Sequence, residues 1–230
     1  MPVLEARSVC KVYQARGVQT PALNGVDLAI EEAEFAALAG PSGSGKTTLL
    51  NLLGALDAPS SGEVFLDGES LVGLSSSRLA DLRLRKMGFV FQAYNLIPVL
   101  SARENVELVM ELQGVPPAMR RARALELLAE VDMEELADKR PLEMSGGQQQ
   151  RVAVARAIAS HPRVVLADEP TANLDSTAAT RLLDLMQRLN GERGITFLFS
   201  THDPLVIAKA RRTLRLQDGR IVAEEREAPK

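Results

Sequence analysis

The sequence predicts an α/β fold with a mixed sheet, an N-terminal antiparallel β subdomain and a helical insertion. Three observations predict it. Short apolar runs, FAALAG (35–40), GFVF (88–91), VVLAD (164–168) and ITFLFS (195–200), alternate with helical patterns. They are continuously apolar, as parallel strands covered on both faces are. Residues 1–30 alternate instead, with LEARSVCKVY and ALNGVDLAI joined by the turn-rich ARGVQTP. An antiparallel hairpin at one edge is expected there. Between about 93 and 150 the strand signal disappears, which marks the insertion.

Taken in order, the hairpin leads to the strand FAALA, then to GPSGSGKTT and a helix over TLLNLLGAL. After the strand GFVF, Ser101 and Glu104 form a capping-box pattern ahead of VELVMELQG. Pro116 and Pro117 precede a second helix, MRRARALELLAEV, which ends near Asp132. MSGGQQQR opens a third, since VAVARAIAS continues it without a break. RVVLADEP and ITFLFSTHD are the last two core strands with their following turns, and the charged tail EEREAPK is expected to be a frayed, solvated end. All of this makes one domain over 1–230, with a helical subdomain at about 93–150 inserted in the core.

Composition excludes several classes of function. With 46% hydrophobic and 25% charged residues the profile is that of a soluble globular protein. Basic and acidic residues number 27 and 30, so no basic face is expected and no nucleic-acid partner. Aromatic residues are 3% and Trp is absent, which argues against stacking platforms for single strands. Cys10 stands alone, fits a reducing compartment and is expected as a small core filler. No apolar run approaches the ~18 residues of a membrane span. The start, MPVLEARSV, lacks the pattern of a secretory signal, so a membrane role is expected to come through a partner.

GPSGSGKTT matches the phosphate-loop pattern of Gly, four residues, Gly, Lys and Thr, between a strand and a helix. That context predicts a P-loop NTPase core. The loop residues Gly40, Pro41, Ser42, Gly43, Ser44 and Gly45 let successive N–H groups turn inward toward phosphate oxygens. Lys46, Thr47 and Thr48 open the helix, whose positive end favours an anion. Lys46 supplies a point charge to β- and γ-phosphates, and the Thr47 hydroxyl suits Mg²⁺. RVVLADEP delivers Asp168, a candidate metal ligand, and Glu169, a candidate to polarise water, to the strand end where the phosphate loop also lies. ITFLFSTHD presents His202 at a third such end, a candidate γ-phosphate contact, whereas His161 in ASHPR is expected at the surface. These residues point to nucleotide hydrolysis.

MSGGQQQR, together with the phosphate loop and ADEP, resembles the signature of ATP-binding-cassette (ABC) ATPases, and the resemblance runs from residue 4 to about 222. On that resemblance GPSGSGKT is the Walker A loop and VVLADE the Walker B strand. Gln92 matches the Q-loop glutamine, a further metal and catalytic candidate. NLD, ending in Asp175, matches the D-loop, and His202 the switch histidine. Tyr13 falls where the family places an aromatic that stacks on adenine; a ring covering the sheet edge is the alternative. The resemblance implies ATP and Mg²⁺ as ligands and two copies meeting head to tail. Ser145, Gly146, Gly147 and Gln148 of one copy would then close on the ATP held by the other.

LNLLGALDAPSSGEVFLDG, FVFQAYNLIPVLSARENVEL and DEPTANLDS look most like the lipoprotein-release and macrolide-export cassettes. Such cassettes pair with a separate permease, whose helix is expected in a groove lined by residues around Ala93 to Leu100. That places the chain in the cytoplasm, peripheral on the membrane's inner face. A division-associated signalling cassette that moves no substrate uses the same residues and remains the alternative. A DNA-repair or translation cassette would carry insertions that this chain lacks. Three positions depart from the family pattern: Met144 for Leu, and Ala33 and Ala172 for Gly. If the turn at Ala33 needs positive φ, the alanine there carries strain of about 1 kcal/mol.

Overall fold

A computed structural model describes residues 1–15 and 17–226. The chain opens on an antiparallel pair, β1 (Leu4–Ala15) and β2 (Val18–Ile30), and then enters β3 (Phe35–Ala39) and α1 (Lys46–Leu53). Residues 61–86, where the sequence patterns name no element, form β4 (Ser61–Leu66), β5 (Glu69–Ser70) and α2 (Ser76–Lys86). β6 (Met87–Val90) precedes the helical block of α3 (Ala102–Leu112), α4 (Pro117–Glu130), two short 3-10 turns and α5 (Gly146–Ile158). The chain finishes with β7 (Val164–Asp168), α6 (Ser176–Arg193), β8 (Thr196–Thr201), α7 (Pro204–Lys209), β9 (Arg212–Gln217) and β10 (Arg220–Arg226).

Two sheets result. One is antiparallel, in the order β2-β1-β4-β5; the other is mixed, in the order β10-β9-β3-β8-β7-β6. The N-terminal hairpin therefore belongs to a separate sheet rather than forming an edge of the core sheet. β4 takes the outer side of β1, and the core sheet closes its own edge with β9 and β10. The tail expectation also changes. Glu224, Glu225 and Arg226 lie in β10, where Arg212 and Arg215 donate to Glu224 and Glu225 across the ladder; residues 227–230 lie outside the described residues.

The core strands read as continuous apolar runs because both faces are covered. Phe35, Val165, Ala167, Phe197 and Phe199 pack with Val106, Leu128, Val152 and Leu182 of the helices on one face. Leu38, Leu166, Leu198 and Leu214 pack with Leu49 and Leu53 of α1 and with Leu4 and Ile30 of the antiparallel sheet on the other. The phenyl rings of Phe35 and Phe199, 4.7 Å apart, fill the middle of the helical side. Each such side chain contributes on the order of 1.5–3 kcal/mol through burial. Cys10 is only half-buried, and its Sγ accepts the Gly25 N–H at 3.1 Å, so it is not a core filler. Gly25 carries positive φ at this bend, which turns its N–H toward the thiol. Among the described residues, no helix is long and apolar enough to cross a membrane.

Strand order positions the site. β3, β8, β7 and β6 are adjacent and parallel, so the segments leaving their carboxyl ends emerge side by side. Those segments carry, in spatial order, the phosphate loop, Thr201 and His202, Asp168 and Glu169, and Gln92.

Candidate active site

The loop from Gly40 to Gly45 joins β3 to α1, whose first turn has no side-chain cap and leaves its N–H groups free for an anion. Two glycines are sterically required. A Cβ on Gly40 would lie 2.1 Å from Leu216 O, and one on Gly45, at φ 104°, 2.6 Å from Ala22 O. The loop is thus pressed against β9 and β2, with no room for a side chain at either position. Lys46 is buried and its Nζ donates to Gly40 O at 2.8 Å and Pro41 O at 3.0 Å, lying across the loop. The Ser44 hydroxyl is also buried, and no group among the described residues partners it. A cradle of inward N–H groups with a lysine across it suits a polyphosphate.

At the end of β7, Asp168 Oδ1 accepts the Thr47 hydroxyl at 3.3 Å. This hydroxyl and carboxylate, with Gln92 lining the same cleft as Thr47, offer oxygen donors, the chemistry that a hard cation such as Mg²⁺ selects. Glu169 follows with φ 45°, a left-handed conformation that a side chain adopts at a cost of roughly 1–2 kcal/mol. Its N–H donates to Ser200 O at 2.8 Å, which ties the turn to β8. The turn aims the carboxylate at β8, where Oε1 lies 2.6 Å from His202 Nδ1 and Oε2 accepts the Thr201 hydroxyl at 3.0 Å.

Lys46, Thr47, Thr48, Gln92, Glu169 and His202 line one open cleft of about 390 Å³ together with Ser42, Gly43 and Gly45. Tyr13 is not among the residues lining it. Its Oη donates to Asp57 Oδ2 at 3.1 Å, and Lys11 Nζ stands 4.9 Å from the ring centre. Asp57 loses some hydration here, yet hydrogen bonds from Lys11, the Ala58 N–H and Tyr13 win and hold its carboxyl below the ordinary value. His161 sits at an exposed position away from the cleft, as expected.

The signature segment lies elsewhere. Ser145 caps α5: its Oγ accepts the Gln148 N–H at 3.4 Å, and Gln148 Oε1 accepts the Ser145 N–H at 2.8 Å. Asp175 caps α6 through the N–H groups of Thr177 and Ala178, both at 2.9 Å. Ser145, Gly147, Gln148 and Asp175 line a second cleft, which shares no residue with the first. Gly146 faces Tyr94, whose Oη would be 2.6 Å from a Cβ there.

Three residues outside the candidate set hold these pieces together. Gln150, fully buried, donates to Phe91 O at 3.3 Å and Pro170 O at 2.7 Å, linking α5 to the segments after β6 and β7. Arg156 donates to the carbonyls of Tyr94 and Asn95, two residues with positive φ, and burial pulls its guanidinium pKa down. The third is Thr201. Gln150 and Arg156 sit on a helix that is buried nearly all round, so no apolar stripe singles them out in the sequence. Of residues 93–100, Asn95 lines an apolar cleft together with Leu56, Phe89, Phe91 and Val109. Arg156 ties the corner at Tyr94 and Asn95 back to α5.

The ABC transporter family matches this chain over residues 23–172. The chain is 46% identical over 226 residues to the macrolide export ATP-binding/permease protein MacB of Syntrophobacter fumaroxidans, covering 97% of this chain but 32% of that protein. It is also 46% identical over 224 residues to an uncharacterized ABC transporter ATP-binding protein of Thermotoga maritima, with 97% and 95% covered. Among solved structures it is similar to the ATP-binding cassette MJ0796 in a dimeric, post-hydrolysis state bound to ADP and Pi. The TM-score is 0.91, at 42% identity over 99% of this chain and 100% of that one.

Proposed function

The chain belongs to the ABC transporter family as an ATP-binding and ATP-hydrolysing subunit, and from that premise we propose that two copies close head to tail on ATP to drive a separate membrane permease. One observation carries this reading. The chain holds two anion-binding helix starts, at Lys46 and Ser145, in clefts that share no residue. Each is half of a phosphate site, so a second copy of the chain completes it. The dimeric state of MJ0796 supports the reading.

In the closed pair, Lys46 and the loop N–H groups hold the β- and γ-phosphates, and Ser145, Gly146, Gly147 and Gln148 of the other copy donate to the γ-phosphate from the opposite side. Thr47, Asp168 and Gln92 would hold Mg²⁺, which when bound offsets charge on the phosphate oxygens. Glu169 accepts the proton of the attacking water, and His202, which holds Glu169 in this structure, turns to meet the γ-phosphate. Asp175 lies beside the signature and reports on closure. Tyr13 stacks on adenine after its hydroxyl leaves Asp57. The apolar groove of Phe89 and Phe91 receives a permease helix, which keeps the subunit at the inner face of the membrane. Export or extraction of a lipoprotein, lipid, peptide or drug is the work proposed, and similarity to the macrolide export protein MacB supports the export part of it.

Glu169→Gln is the direct test of the chemistry: it should bind ATP, accumulate as a dimer and stop turnover. A wild-type rate from this variant would sink the role given to Glu169.

A further inference from the structure

Of the two groups that hold the Glu169 carboxylate, one is exposed and one is not. The His202 side chain is 69% exposed, whereas Thr201 is fully buried. His202 is free to swing toward a phosphate; Thr201 has nowhere to go. The Thr201 hydroxyl is also fixed in polarity. Its oxygen accepts the Asp203 N–H at 3.0 Å, so its single proton is directed to Glu169 Oε2. Asp203 is locked in turn, because Oδ2 accepts the Thr171 hydroxyl at 2.7 Å and Oδ1 the Leu205 N–H at 2.9 Å. This chain of bonds runs from the start of α7 to the carboxylate without passing through His202.

We propose that Thr201 is the positioning residue of the hydrolytic step: it pins Oε2 of Glu169 so that Oε1 alone faces the cleft as the proton acceptor. The inference rests on the reading of Glu169 given above. In the step, the water oxygen bonds to the γ-phosphorus, its proton passes to Oε1, and the bond to the ADP oxygen breaks with its electron pair leaving on ADP. When His202 turns to the phosphate, Thr201 remains, among the described residues, as the one group that keeps the carboxylate from rotating. It also stabilises the left-handed backbone of Glu169, since a carboxylate fixed at its tip resists relaxation of the turn.

The test is steady-state ATP hydrolysis by the whole chain carrying Thr201→Val, which preserves shape, or Thr201→Ser, which preserves the hydroxyl, beside Glu169→Gln. Loss of one charge-assisted hydrogen bond predicts a kcat about 10- to 100-fold lower for Thr201→Val, with KM for ATP unchanged. Thr201→Ser should stay within about twofold of wild type, as the hydroxyl is retained. The inference is overturned if Thr201→Val hydrolyses at the wild-type rate while Glu169→Gln does not. It is equally overturned if Thr201→Ser is as slow as Thr201→Val, or if ATP affinity falls in step with kcat. Wild-type turnover by Glu169→Gln would instead refute the underlying assignment of the base.

Discussion

Ala33 has φ 59°, and both of its backbone polar groups are committed, the N–H to Thr196 Oγ1 at 3.0 Å and the carbonyl to Asn190 Nδ2 at 2.9 Å. Those two bonds hold an alanine in a conformation that glycine adopts freely. Ala33→Gly relieves roughly 1–2 kcal/mol of strain and returns about 0.4–1 kcal/mol to the freer unfolded chain. The variant should therefore be more stable by about 0.5 kcal/mol, read as a higher urea midpoint at unchanged slope. The strain expected from the sequence at this position is present. The same holds for the placement of Lys46, Asp168, Glu169 and His202, because each follows an apolar strand run that fixes where it emerges. Thr201 and Arg156 were not legible in this way. Their roles depend on which atoms face them across strands and loops, and a buried hydroxyl or guanidinium leaves no periodic trace. Tyr13 is the opposite case, conspicuous as a rare aromatic yet held at Asp57 outside the cleft.

At the scale of elements, local chemistry explains most boundaries. The predicted capping box at α3 is formed in full, with Ser101 Oγ accepting the Glu104 N–H at 3.2 Å and Glu104 Oε2 accepting the Ser101 N–H at 2.8 Å. Ser101→Ala should cost about 1 kcal/mol of stability at neutral pH, measurable by denaturant titration. The Ser101 N–H, and then its hydroxyl, hold the Glu104 carboxyl below its ordinary value. That carboxylate's contribution is fully present above the unfolded-state value and is lost as pH falls through the lowered one. The stability gap between wild type and Glu104→Ala should accordingly narrow in acid. Elements from β4 to α2 escaped the sequence patterns for a physical reason. β4 alternates weakly, β5 has two residues, and α2 buries only Leu82, so no apolar stripe announces it. The hairpin was legible as a hairpin, but sheet membership depends on β4, a partner distant in sequence.

For the molecule as a whole, the separation of the two clefts predicts complementation. Lys46→Ala lacks a working phosphate loop and Ser145→Arg lacks a working signature, so each alone should be inactive. Mixed in equal amounts, half of the pairs contain one intact composite site, and turnover should return to about a quarter of the wild-type rate. No recovery on mixing would mean that both loops serve one chain. The division of the site between copies also changes what kind of quantity the activity is. In dilute solution hydrolysis becomes second order in protein, so specific activity falls as the subunit is diluted. Under the proposed assembly, a membrane complex that carries two copies side by side would raise their effective concentration to about the millimolar range typical of short tethers, and the order would drop to one. On the proposed reading, recruitment by the permease is what switches hydrolysis on.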